Sequence, residues 1–256
     1  MQEFLEQAKA AAADAAAIIR EHYDRAFDVQ YKSDASPVTE VDIASERAIR
    51  ARLEAAFPEH GFYGEELGQA QPDADYLWLI DPIDGTKSFV RHYPVFSTQI
   101  ALMHKGELVL GVSSAPVYGQ LAWAVKGEGA YMDGKRIGVD VAKPLARSIL
   151  STGNLNPLLD NPTALAKLAQ TMRGAHRHRG YGDFLHYHLL ASGSIDMICE
   201  AEVNILDIAA LTVIVREAGG VMTDLKGGDI GLDTTTVAAA NSDELHQLLL
   251  EIGRSL

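Results

Sequence analysis

The sequence predicts an α/β protein built as two lobes around a shared cleft. Three observations predict it. Two helical patterns lead into a strand-rich stretch that ends near residue 137. Strands and helices then alternate from residue 148 onward, and carboxylates gather at turns or element ends in both halves. The expected lobes are an α+β half over 1–147 and an α/β half over 148–256, joined near residues 145–150. A chain of 256 residues can bury a core of that size.

Each element has its own signal. Phe4, Leu5, Ala8, Ala12, Ala15, Ile18 and Ile19 recur at helical spacing, so residues 3–25 read as an amphipathic helix. Ile43, Ile49 and Leu53 mark a second helix over 40–56, ended by Pro58 and Gly61. "YLWLID" (76–81) is a buried strand, and 96–116 is a hairpin turning at Lys105-Gly106. Residues 120–137 form a further hairpin pair, with Gly127, Gly129 and Asp133-Gly134 at its turns. In the second half, strands are expected at 148–154, 195–201 and 234–241. Helices are expected at 161–173, 183–193 and 207–220, and over the last 15 residues, where Ser242 can cap.

Composition narrows the function. With 35 Asp+Glu against 22 Lys+Arg, a net charge of −13 argues against a partner held by nucleic-acid phosphates. The one cysteine, Cys199, sits in the apolar run "IDMIC" and reads as a packed core residue; no intrachain disulfide is available, which suits a reducing cytoplasm. The opening residues lack the pattern of a secretory leader, and the longest apolar run, 208–215, is too short to span a bilayer. The basic run "RGAHRHRG" (173–180) reads as a solvated strand face, and His186 and His188, on a helix, read as structural.

The acids carry the chemistry. They lie in "VTEVD" (38–42), "YGEEL" (63–67), "DPIDGT" (81–86) and "NILDIAA" (204–210). In "DPIDGT" a buried strand delivers Asp81 to its end, Pro82 is expected to stop pairing, and Asp84 can cap a short helix. The amides of Gly85 and Thr86 would then face an anion at the helix start. A calcium loop of the EF-hand type is excluded, since the twelfth position from Asp81 is His92. Asp207 can be a plain N-cap, and Asp42 and the GEE pair can be solvated. Like charges about 4 Å apart repel by roughly 4 kcal/mol at an effective dielectric near 20, so grouped carboxylates call for cations. Oxygen donors with no nearby Cys or His favour Mg²⁺ or Mn²⁺ over zinc.

The ordered set "VTEVD … GEE … WLIDPIDGTKSF … LDIAA … EAGG" closely resembles the inositol monophosphatase superfamily, with landmarks over residues 30 to 222. The resemblance implies a layered αβαβα sandwich of the inositol monophosphatase and fructose-bisphosphatase type. It implies a Mg²⁺-dependent, lithium-inhibited phosphomonoesterase with two or three ions, acting on a small phosphorylated metabolite as a homodimer. Carried over, Glu65, Asp81 and the Ile83 carbonyl would hold one ion. Asp81, Asp84 and Asp207 would hold a second, and Glu65 and Asp42 would flank a third. Thr86 and Asp42, with Glu65, would orient a water and take its proton. Gly85 and Thr86 amides would grip the phosphate. Lys32 matches a basic position near the metal loop.

The ester is the open question. "RGYGD" resembles the histidinol-phosphatase branch, and Glu200 matches the family's substrate-binding acid. Asp183 and Glu200 could pair with the ammonium of histidinol phosphate, whereas inositol offers only hydroxyls. Asp183 can equally cap the helix it starts. Inositol 1-phosphate is the alternative ester, followed by adenosine 3′,5′-bisphosphate or fructose 1,6-bisphosphate, and then by a non-catalytic metal-binding role. Leu206 stands where many relatives carry an aromatic, beside the leaving group.

Overall fold

Small residues let the first helix lie close to its neighbours. In the computed structural model, which describes residues 1–23, 25, 29–31 and 37–256, α1 (Gln2–Tyr23) buries Leu5, Ala8, Ala12, Ala15 and Ile19 along one face. Lys32 lies outside the described residues. A short antiparallel ribbon, β1 (Val29–Tyr31) and β2 (Pro37–Thr39), leads into α2 (Glu40–Ala56). Thr39 and Asp42 close a capping box at its start.

The first sheet holds β3 (Gly61–Gly64), β4 (Gly68–Ala70), β5 (Tyr76–Asp84), β6 (Ser97–His104), β7 (Glu107–Ala115), β8 (Gln120–Val125), β9 (Gly129–Met132) and β10 (Lys135–Ile137). The one-turn-and-a-half helix α3 (Thr86–Val90) follows β5. From β5 to β10 the sheet is an antiparallel meander; β3 joins β5 in parallel, and β4 closes the edge. β3 and β4 are additions to the sequence reading, which assigns no element to residues 61–70.

The second sheet has the order β12-β11-β13-β15-β14, from β11 (Ile149–Thr152), β12 (Arg177–Arg179), β13 (Met197–Ala201), β14 (Val221–Thr223) and β15 (Thr236–Ala240). Its helices are α4 (Asn156–Leu159), α5 (Pro162–Gly174), α6 (Asp183–Ala191), α7 (Ile205–Glu217) and α8 (Asp243–Gly253). Ser242 caps α8, and the basic run forms the exposed edge strand β12, both as the sequence predicts.

Three of the four apolar clusters among the described residues separate five layers. The first joins α1 and α2 to one face of the first sheet, through Leu5, Leu53, Trp78 and Ile100. The second lies on the opposite face, where Leu77, Leu79 and Ala101 meet Leu211 and Ile214 of α7, and continues to Ile198 and Ala239 of the second sheet. The third covers that sheet's outer face with Leu168 of α5 and Leu249 of α8. The architecture is therefore the αβαβα sandwich. α7 lies between two sheets and is apolar all round for that reason, burying ten residues. Cys199 is a buried member of the third core. Among the described residues, no helix is long and apolar enough to cross a membrane.

Candidate active site

β5 answers why two aspartates stand three residues apart. Side chains of a strand alternate, and here Trp78 and Ile80 face α1 and α2 while Leu77 and Leu79 face α7. Asp81 continues the α7 side. In a regular strand Asp84 would fall on the other side. β5 does not stop at Pro82, as the sequence reading expects; it runs to Asp84 with one extra residue, since Asp81 pairs with Gln99 and Asp84 with Ser97. The bulge sends Ile83 to the opposite face, into a core with Ile19, Val41 and Phe96, and returns Asp84 to the side of Asp81. Pro82 sits in the bulge, where a missing N–H disrupts least. Its carbonyl accepts from Thr98 Oγ1 at 2.8 Å, and Ile83 N donates to Asp81 Oδ1 at 3.0 Å. Asp84 is therefore a strand residue and not a cap. Gly85, at φ 90°, holds the N-cap position of α3 without a side-chain bond.

The first turn of α2 reaches the same place. The Thr86 hydroxyl lies 3.2 Å from Asp42 Oδ1 and 3.0 Å from the Ile83 carbonyl, so one hydrogen serves two acceptors. Asp42 Oδ2 accepts from Thr39 N at 2.8 Å, which fixes the carboxylate against the helix start. One turn further, Glu46 is fully buried. Its Oε2 accepts from Glu66 N at 2.7 Å and its Oε1 from Leu67 N at 3.1 Å. Glu46 thus clamps the turn that presents Glu65. The sequence reading misses it, although its spacing of four from Asp42 is the signal. Gly64 makes room for this clamp, because a Cβ there would overlap Glu46 Oε1. Gly64→Ala is expected to cost about 2 kcal/mol by overpacking, roughly 4–8 °C in melting temperature for a chain of this size, with a parallel fall in activity. An unchanged thermal melt would show that the clamp yields freely.

The second half supplies the rest. Asn204 is the N-cap of α7, and Asp207 is its capping-box partner rather than the cap itself. Asp207 Oδ2 accepts from Asn204 N at 2.8 Å and Oδ1 from Asn204 Nδ2 at 2.7 Å. Asp183, at φ 46°, begins α6 after Gly182, which takes the N-cap position, so Asp183 does not cap either. Asp84, Asp183, Glu200 and Asp207 line one pocket together with Asn154 and Tyr187. A larger cleft of about 880 Å³, between Asp160, Leu225 and Leu256, shares only Glu202 and Val203 with that pocket and holds none of the grouped acids.

Electrostatics set the acids of the group against one another. Burial first, then Glu65, Asp84 and Asp207, push Asp81 well above the usual carboxylate range. Burial, then Asp183, Asp207 and Glu200, do the same to Asp84. Burial raises Asp207 to about 7, with Glu65 and Glu200 adding to it against the bonds from Asn204. Asp183 rises to about 6, through burial and then Glu200. Asp42 is raised by burial against its bonds from Thr39. Asp81, Asp84 and Asp207 each bring one oxygen within 4.8 Å of the others, and among the described residues no Lys or Arg pairs with them. Three hard oxygen donors in one repelling set, two buried and one partly so, fit a divalent cation, whose charge removes the cost of ionising them. Of the residues singled out in the sequence, Asp42 and the Ile83 carbonyl share the Thr86 hydroxyl, Asp81, Asp84 and Asp207 converge with Glu65 acting on Asp81, Asp183 and Glu200 line the pocket with Asp84 and Asp207, and Gly85 stands between Asp84 and Thr86. His188 packs as a structural residue, but His186 bonds Glu200 and belongs to the site's support.

The αβαβα sandwich and its acidic cleft are those of a family of phosphatases. Residues 1–255 match the inositol monophosphatase family, and the chain belongs to it. It is 38% identical over 250 residues to a histidinol-phosphatase of Streptomyces coelicolor, covering 93% of this chain and 91% of that one. It is 35% identical to the Nus factor SuhB of Pasteurella multocida, covering 98% and 96%. Its backbone superposes on an inositol monophosphatase from Zymomonas mobilis with a TM-score of 0.86 at 31% identity, over 99% and 98% of the two chains.

Proposed function

We propose that the protein is a Mg²⁺-dependent phosphomonoesterase whose preferred substrate is a small cationic ester, histidinol phosphate. The convergence of Asp81, Asp84 and Asp207 carries the hydrolase part. Glu65, Asp81 and the Ile83 carbonyl would hold one ion, and Asp81, Asp84 and Asp207 a second. Bound there, Mg²⁺ supplies Lewis acidity toward the attacking water and the phosphate oxygens. The chain's own groups do the rest. Thr86 Oγ1 accepts a proton from the water while passing its own to Asp42 Oδ1, and Glu65 helps orient the water. Gly85 and Thr86 precede the first intrahelical donors, Ser88 and Phe89, so their amides would meet phosphate oxygens.

The substrate part rests on the second pair of acids. Asp183 and Glu200 sit close enough for Glu200 to raise Asp183, in the pocket they share with Asp84 and Asp207. A polyol needs no such pair, whereas an ammonium or imidazolium would be held by charge-assisted bonds. Relatives named histidinol-phosphatase support this reading. Inositol 1-phosphate is the second reading, favoured by the likeness to the Zymomonas enzyme. The retained Asp42–Thr86 pair favours an active enzyme over a purely regulatory role. A cytoplasmic homodimer remains part of the proposal.

Phosphate release from histidinol phosphate, inositol 1-phosphate, fructose 1,6-bisphosphate and adenosine 3′,5′-bisphosphate, each with and without Mg²⁺, tests both parts. Metal-independent release would overturn the first, and a preference for inositol 1-phosphate the second. Mg²⁺ is also expected to raise the melting temperature, by about 2.7 kcal/mol of added stability at a hundredfold excess over Kd. No shift at millimolar Mg²⁺ would count against a formed site.

A further inference from the structure

The buried network behind Glu200 supports an inference that rests on the cationic-ester reading. Glu200, on β13, receives two donors on the same oxygen: Tyr187 OH at 2.6 Å and His186 Nε2 at 3.0 Å from Oε2, both from α6. His186 Nδ1 faces Ser151 Oγ of β11 at 3.2 Å, and Tyr181 N donates to that oxygen at 3.3 Å. Acid, histidine and serine thus stand in the order of a hydrolase triad. Ser151 and His186 have no exposed surface, however, so this serine meets no ester and is not a nucleophile.

Donor and acceptor accounting assigns one set of hydrogens that satisfies every member. Tyr181 N–H donates to Ser151 Oγ, Ser151 O–H to His186 Nδ1, His186 Nε2–H to Glu200 Oε2, and Tyr187 O–H to the same Oε2. The pattern differs from that of Glu46, the other buried glutamate of the cleft. Glu46 takes one backbone N–H on each oxygen, as a carboxylate with a purely structural role would. On Glu200 both donors fall on Oε2. Among the described residues no hydrogen bond reaches Oε1, which is turned over Gly153, where a Cβ would overlap it, next to the pocket residue Asn154.

We propose that Ser151 and His186 are positioning residues that lock Glu200 with Oε1 presented to the ester's cationic group, and so set the preference for phosphate esters of cationic over neutral alcohols. A glutamate held by one bond can turn about three side-chain torsions. Two donors on one oxygen, one of them itself fixed from Nδ1, leave a single orientation.

The test compares kcat/KM for histidinol phosphate and inositol 1-phosphate in the Mg²⁺-loaded enzyme. His186→Leu is expected to lower the ratio of the two about tenfold, chiefly through KM for the cationic ester. His186→Gln, whose amide can donate to Glu200 and accept from Ser151, is expected to restore most of it. A wild-type preference for histidinol phosphate that persists in His186→Leu overturns the positioning role and leaves the substrate reading standing. Absence of any wild-type preference overturns the substrate reading and this inference with it. Where His186→Leu does not fold, Ser151→Ala gives the same decision, and an unaltered ratio overturns the proposal.

Discussion

Asp81→Asn is expected to abolish Mg²⁺-dependent phosphate release, by a factor of a thousand or more, while raising the melting temperature of the metal-free protein. The two effects share one cause. Asp81 is held well above the ordinary carboxylate range by burial and by Glu65, Asp84 and Asp207. A carboxyl whose folded value is raised destabilises the fold as pH climbs from its unfolded value, near 3.8, through its folded one, because the unfolded chain ionises first. At pH 8 without metal, far above the unfolded value, that cost is present. Asparagine removes the charge and keeps Oδ1 as the acceptor for Ile83 N, so the bulge survives. Relief of about 1–2 kcal/mol corresponds to roughly 2–8 °C. The gain should shrink toward pH 4, close to the unfolded value, where the folded carboxyl is protonated and the unfolded one is only partly ionised, and should reverse when millimolar Mg²⁺ stabilises only the wild type. Thermal melts at pH 4 and 8, with EDTA or Mg²⁺, read all four corners. A variant that stays active, or that melts lower than wild type at pH 8 in EDTA, would sink the assignment.

Much of this was legible in the residues, and the failures have a common origin. α1, α2, the meander from β6 to β10 and the alternating second half follow local periodicity, which sequence reports directly. The carboxylates in "DPIDGT" also stand out, because a buried strand has no need of Asp81. What local rules miss is how the chain uses them. Proline argues for the end of pairing, yet β5 continues through Pro82, because Thr98 and the register of β6 hold the bulge from across the sheet. Asp84, Asp183 and Asp207 each stand where a cap is plausible. The caps fall to Gly85, Gly182 and Asn204, which leaves the three acids turned to the cleft. Glu46 shows in the sequence only as a spacing of four from Asp42, because its partners are backbone amides some twenty residues away. His186 looks like an ordinary helix residue until β11 and β13 bring Ser151 and Glu200 to its two nitrogens.

The layered fold also explains why catalysis and acid stability separate. α6 carries Asp183 and His186 toward the ester pocket and, two residues on, buries His188 against the first sheet, where its Nε2 lies 2.8 Å from Ser113 Oγ. Burial pushes His188 down to about 3 from an ordinary 6.5. Between those values the unfolded chain binds a proton that the folded one refuses, so stability falls as pH drops from 6.5 toward 3. At about 1.4 kcal/mol per pH unit, the loss is about 2 kcal/mol by pH 5 and about 5 kcal/mol in full. The raised carboxylates of the cleft act in the opposite sense over much of this range, so the wild-type curve alone does not isolate the histidine. His188→Gln does, because those carboxylates are common to both proteins. The stability of His188→Gln relative to wild type, from urea unfolding in EDTA, should improve by about 2 kcal/mol between pH 7 and pH 5. A difference that stays constant across that range would mean that the His188 ring takes up its proton in the folded state, and that the middle layer is wetter than its packing implies.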